Sequence, residues 1–552
     1  MASSTRIAGI SSTGGCRRIA RVAAHSVGLA LLGANILAAQ ATPRVAPDAR
    51  VYRDIDQLAA AGLIDTVIVG ARPYTEREIA RLLEEARRNL GRLERGAAWE
   101  ERVIAGDLAR YAPHATRPID GAAIEAAEMS SPYRPAPSDA NGSLDANINP
   151  LANYRGGRPL SDGATATLET EHSARAGSHL AFALNPRLTI ARARGSATDA
   201  ANGTQLRLQS GGVTALFGNL AVDVGRNYAL FGQTPTGGLL LSANAPALDM
   251  VRLSTERPAA LPWMFRLLGP LQATAFVADL GSAHQVFPHS KLIGYHLSML
   301  PHPRLELGVE LLDETGGRGA PPASFADRVV DAVPLVDAIF RPHSDFLFSN
   351  KLAGLDARLR VPELAGMELY AEGALDDFDA ARFASSLLDD GGYIAGLSFA
   401  CIADCGRLGV RAEYHQTGIR YYTHTQFASG LEDDGVILGD PLGPRGLGSY
   451  LTVDGATNRW GRLALSGAYE VLSGNRYGST ADSAGRAFRF VPVERRPGEH
   501  RARILGTWTV GGPGARNAIS ATLGVEHVDH FDFSPASSRV NALGQLRYEY
   551  HP

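Results

Sequence analysis

The sequence predicts an all-β fold: a large antiparallel transmembrane β-barrel of about 18 strands, preceded by a small periplasmic helical bundle. Three observations predict it: an export signal near the start, stretches of about ten residues in which apolar and charged side chains alternate, and connections that take turns between short and long. The alternation is clearest from Arg304 to Leu311, where Leu305, Leu307, Val309 and Leu311 share one face and Arg304, Glu306 and Glu310 the other, the period of two that a strand imposes. A soluble sandwich has the same period. Export together with strands long enough to cross a bilayer favours the barrel.

Arg17, Arg18 and Arg21 precede an apolar stretch from Val27 to Ala38 that is too short for a membrane helix, and Ala39-Gln40-Ala41 follows as a small-residue cleavage site. Residues 1–41 are therefore expected to be a signal peptide. Residues 42–111 read as a periplasmic helical region. One helix runs from Asp54 to Ala61 and stops at Gly62; a second opens on a Thr75/Glu78 capping box and buries Ile79, Leu82, Leu83 and Ala86; a third covers Ala97 to Tyr111. Residues 112–160, with Pro132, Pro135 and Pro137, read as a linker or extended segment. Residues 161–552 are expected to form the barrel.

Twelve strands are legible from Leu271 to Tyr550, and 163–255 has room for about six more, with Asn185-Pro186-Arg187 and Gly211-Gly212 as the clear turns there. Short connections such as Pro301-His302-Pro303 face the periplasm, and long ones such as Asp313 to Asn350 and His415 to Gly448 face outward and are long enough to plug the mouth. Glu306, Glu310, Arg358, Arg360, Glu368, Glu372, Arg411, Glu413, Arg462 and Glu470 then point into the lumen.

A net charge of -3 and a mean hydropathy of -0.08 give no basic surface, so no nucleic-acid partner is expected. Cys401 and Cys405 flank a hairpin tip, and two readings stand: a disulfide in an oxidising compartment, or two free thiols. No nucleophile elbow, His-Glu-x-x-His pair or phosphate loop is present, so no enzyme, cofactor or metal is expected. The acidic pairs Asp376/Asp377, Asp389/Asp390 and Asp433/Asp434 read as solvated loop charge.

Several segments resemble one family. Val51 to Ile64 followed by Arg72 to Ile79, Gly225 to Tyr228, Gly238 to Pro246 with Asp249, Ser349 to Asp356, and Gln426 to Gly430 leading to Leu438 to Gly443 are similar to the capsule assembly Wzi family. That pattern has His where Asp440 stands and a shorter linker after Tyr111. The resemblance implies a lectin-like barrel of the bacterial outer membrane that binds capsular or extracellular polysaccharide and helps its assembly or attachment at the cell surface. Expected partners are that polysaccharide, outer-membrane lipid, and barrel-assembly and polysaccharide-export machinery, with the chain a monomer. A diffusion porin and a surface glycan hydrolase are the alternatives.

Glycan binding calls for aromatic faces and planar polar groups. Tyr421, Tyr422, His424 and Gln426 offer them, as do Arg476 and Tyr477, with the interfacial aromatic girdle as the other reading for Tyr421 and Tyr422. Arg226, Asn227, Asn244, Asp249, Asn350, Asp356 and Arg445 lie in or beside the family-like segments and are candidates for lining the lumen or its plug.

Overall fold

The computed structural model describes residues 40–93, 97–111, 119–194, 202–324, 328, 332, 349–376, 383–403, 405–457, 460–481, 487–512 and 514–552. The expected signal peptide lies outside the described residues but for its last two. Eighteen long strands close the barrel. They are β1 Gly121–Ser130, β2 Gly163–Ala176, β3 Leu180–Ala193, β4 Gly203–Phe217, β5 Leu220–Asn227 and β6 Leu248–Thr255. Next come β7 Pro270–Asp279, β8 Lys291–His302, β9 Leu305–Thr315, β10 Ser349–Val361, β11 Met367–Asp376 and β12 Gly391–Phe399. The last six are β13 Leu408–Thr417, β14 Gly446–Thr457, β15 Gly461–Leu472, β16 Glu499–Val510, β17 Asn517–Asp529 and β18 Ser538–Tyr550. Each pairs antiparallel with its neighbour, and β1 pairs with both β2 and β18, Ala122 facing Tyr550, so the wall has no open edge.

Alternation places the faces as expected. On β10, Leu355 (64% exposed) and Leu359 (41%) point outward, while Asp356, Arg358 and Arg360 are buried inside. The inward charges pair across strands: Arg358 with Glu368 at 2.7 Å, Arg360 with Glu306 at 3.1 Å, Arg503 with Glu470 at 2.7 Å.

The early wall differs from expectation. Only five of its strands fall in 163–255; the sixth is β1, inside the stretch read as a linker. Gly121–Ser130 does alternate, but mostly with alanine, whose small side chain carries little contrast: Ile124 is exposed and Glu125 buried. Asn185 and Pro186 are not a turn either. They sit within β3 at a shift of register, where a residue without an N–H is tolerated. Gly211 and Gly212 lie inside β4, and the true turns are at Gly177 and Gly218, both with φ +64°.

Three helices, α1 Arg50–Ala60, α2 Glu76–Asn89 and α3 Ala98–Tyr111, pack around Ile55, Leu58, Ile79, Leu82, Leu83 and Ile104 at the short-turn end of the barrel. Thr75 caps α2, its Oγ1 accepting from the Glu78 N–H at 3.2 Å. The Glu78 carboxylate is taken by Arg81 instead of closing the capping box. Cys401 and Cys405 form a disulfide in the turn between β12 and β13, beside the helical unit. No helix among the described residues is long and apolar enough to cross a membrane.

Candidate functional site

The outer mouth is filled by three irregular segments, 131–160, 228–247 and 418–445. Their apolar side chains, among them Leu144, Ile148, Phe231, Leu239, Tyr421, Tyr422, Leu431 and Leu438, form one core with the wall residues Leu292, Leu312, Leu352, Ile394 and Leu472. Irregular backbone can be buried only if its polar groups are paired. Here the segments pair with one another: Ser242 N–H donates to the Leu438 carbonyl at 2.9 Å, Asp145 N–H to Ser429 at 2.8 Å, and Gly156 N–H to Ala243 at 2.6 Å. Of the two long loops expected to plug the barrel, His415 to Gly448 supplies the third segment. Most of 325–348 in the other loop lies outside the described residues.

The candidate residues divide between plug and wall. Tyr421 and Tyr422 are fully buried, so they belong neither to a girdle nor to an exposed sugar platform. The Tyr422 hydroxyl donates to the Leu239 carbonyl at 2.5 Å and accepts from the Asp440 N–H at 2.7 Å, and Asp440 meets His415 of β13 at 2.5 Å. His424 is buried, its Nδ1 accepting from the Phe427 N–H at 2.9 Å. Asn244 joins all three segments through the Tyr154 N–H, the Ile437 carbonyl and Ser242. Arg445 ties Asp139 (2.6 Å) to the Ile419 and Asn475 carbonyls and lies 5.3 Å over the Tyr477 ring. Asp356 accepts from Gln233 Nε2 at 2.5 Å inside the lumen, and Asn350 is buried opposite Glu314. Asn227 is half-buried at the end of β5.

Arg226 and Asp249 differ from the rest. They form a two-pronged pair (2.9 and 2.6 Å) on the outward face at the outer rim. Around the hairpin of residues 432–437 they join two further exposed pairs, Arg207 with Asp434 at 2.6 Å and His284 with Asp145 at 3.2 Å. Arg207, Asp145 and His284 carry no local motif. In the sequence this place is marked by Arg226 and Asp249, in and beside the family-like segments, and by the Asp433/Asp434 pair. The described members of the other acidic pairs, Asp376, Asp389 and Asp390, are buried: Asp376 accepts from the Tyr422 N–H at 3.0 Å and Asp390 pairs with Arg420 at 2.7 Å. Asp377 lies outside the described residues. No group of three or more His, Cys, Asp or Glu side chains among the described residues is placed to hold a metal ion.

Burial holds the Glu432 carboxyl up at about 9, although it accepts from the Gly435 N–H; burial and the adjacent Asp434 hold Asp433 at about 7. Both values lie above those of the unfolded chain, near 4. Raising the pH from about 4 to 9 therefore charges the unfolded hairpin before the folded one, and the hairpin loses stability across that window. Hydrogen exchange of the amides of residues 430–438, corrected for intrinsic rate, is expected to rise at least about tenfold between pH 5 and pH 9. Glu432→Gln removes most of that dependence.

The profile of the capsule assembly protein Wzi family matches residues 140–543. The chain belongs to this family. It is a barrel of the bacterial outer membrane, and its helical unit precedes the barrel in the chain. The Escherichia coli outer membrane protein Wzi, a carbohydrate-binding β-barrel involved in group 1 capsule assembly, superposes with a TM-score of 0.64 at 16% identity, covering 92% of this chain and 99% of that one. An uncharacterised 55.8 kDa Klebsiella pneumoniae protein from the cps region is 26% identical over 180 residues. The match spans 30% of this chain and 33% of that relative.

Proposed function

We propose that this Wzi-family barrel binds capsular or extracellular polysaccharide on the outer face of its plug and helps assemble or hold that polysaccharide at the cell surface. The observation that carries this reading is the outer rim itself: a mouth filled by the plug and bordered by exposed, planar, ion-paired groups of Arg207, Arg226, Asp249, Asp434, Asp145 and His284. Guanidinium and carboxylate groups present paired donors and acceptors of the kind that bind vicinal hydroxyls. The protein acts by binding, as a monomer, and its periplasmic helices are the surface offered to export and barrel-assembly machinery.

Deleting the gene is expected to move polysaccharide from the cell-bound to the shed fraction while total synthesis holds. Unchanged cell-bound polysaccharide would overturn the proposal. With purified protein, Arg207→Ala combined with Arg226→Ala is expected to weaken binding of the host polysaccharide by about tenfold or more, at the level of one or two lost charge-assisted hydrogen bonds. Calorimetric titration reads this directly.

A further inference from the structure

The connection 256–269 between β6 and β7 lies at the periplasmic end and is longer than any other connection there. Ala259–Ala260 first extends the wall by pairing with Pro270 and Leu271. The chain then turns into a 3₁₀ helix, Trp263–Leu268, that leaves its large side chains uncovered: Trp263 is 81% exposed, Leu267 84%, Met264 59% and Phe265 47%. Four such side chains on a single short helix make a patch that a water-facing turn has no reason to keep. The helix is nevertheless fixed to the wall. The Gly269 N–H donates to the Arg266 carbonyl at 3.1 Å, and Gly269, at φ +70°, lies so close to the Leu300 carbonyl of β8 that no side chain fits between them.

Two further observations say what covers the patch. It continues the lipid-facing wall, because β6 and β7 on either side of it expose Val251, Leu253 and Val277. It also lies at the end of the barrel where Trp460 and Trp508 are exposed, the level at which barrels place their aromatic belt. Arg266, exposed within the apolar run, adds a fixed cation suited to a phosphate.

We infer that the 256–269 connection is an interfacial anchor for phospholipid of the periplasmic leaflet, with Trp263, Met264, Phe265 and Leu267 at the boundary of acyl chains and headgroups and Arg266 on a lipid phosphate. The anchor sets the depth of one side of the barrel in the membrane. It is separate from the outer rim and does not depend on polysaccharide binding.

The test uses the full chain reconstituted in phosphatidylethanolamine and phosphatidylglycerol vesicles, with and without lipid brominated near the headgroup end of its chains. The emission of wild type minus that of Trp263→Phe isolates Trp263 from the other tryptophans. The expected result is a blue-shifted difference spectrum, largely quenched by the brominated lipid and resistant to iodide present on both sides of the vesicle. A red-shifted difference spectrum quenched by iodide and not by brominated lipid would overturn the inference, leaving the patch to a protein partner absent from the vesicles.

Discussion

Replacing Glu372 by alanine is expected to make a closed barrel conduct. Glu372 stands on β11 with its carboxylate in the plug: Oε1 accepts from the Gln233 N–H at 2.5 Å and the Thr234 N–H at 3.2 Å, and Oε2 from the Leu239 N–H at 3.1 Å. The chain can wrap one carboxylate so closely because residues 232 and 238 are glycines. A Cβ at Gly232, whose φ is +97°, would lie 2.6 Å from Oε1. Alanine leaves three buried amides without an acceptor, at a cost of about 1–3 kcal/mol each. That total is large for a segment with no strand or helix of its own. The wall is untouched by comparison, since every strand keeps both neighbours. Wild-type protein in a planar bilayer is expected to stay silent, and Glu372→Ala to open at least about tenfold more often, corresponding to a shift of about 1.4 kcal/mol or more. Glu372→Gln keeps one acceptor and falls between them. A silent Glu372→Ala barrel that retains its folded, heat-modifiable form would show that the plug is held elsewhere.

Legibility followed the reach of the physics that set each element. The strands from Leu271 to Tyr550 are written in a period of two, and a membrane wall has to keep that period because one face meets lipid and the other the lumen. The cap at Thr75 and the stop at Gly62, with φ +74°, are equally local. The plug is not local. Residues 228–247 and 131–160 have no period, because irregular backbone buried on all sides is held by whichever amide or carboxylate another segment brings to it. Tyr421 and Tyr422 read as surface aromatics for that reason: nothing within ten residues of them announces Leu239, Asp376 or Asp440 as partners. Arg226 and Asp249 stand out in the sequence only by family likeness, and the register of β5 against β6 places them opposite one another. Arg207 and His284 reach the same rim from β4 and from the β7–β8 connection, and only the closed fold unites them.

Glu306, from the alternating stretch that most clearly marks the barrel, is the residue whose loss is expected to detach the helical unit. Its carboxylate points into the lumen and accepts from the Val69 N–H at 3.0 Å and the Gly70 N–H at 2.9 Å, between α1 and α2. It also takes Arg360 Nη2 at 3.1 Å and Gln233 Nε2 at 3.0 Å, so one side chain joins helices, wall and plug. Glu306→Ala strands two amides and removes one counter-charge from Arg360, which is 2% exposed and keeps Glu368 at 3.2 Å. Breaking a buried pair of this kind costs about 3–5 kcal/mol. The expected result is rapid tryptic cleavage after Arg77 and Arg81 of α2 with the barrel itself still folded. Gly70→Ala offers an independent approach to the same joint, because a Cβ there lies 2.7 Å from His296 Cε1 and 2.8 Å from Ser298 Oγ and pushes the loop off the wall without altering a charge. Arg87→Ala, which breaks an exposed pair with Glu84, is the control and is expected to change protection little. If the helices stay protected in both Glu306→Ala and Gly70→Ala, their docking rests on the ties at the barrel rim, Arg44 to Asp223 at 2.9 Å and Arg50 to Glu549 at 2.8 Å, and Arg44→Ala combined with Arg50→Ala should then expose them.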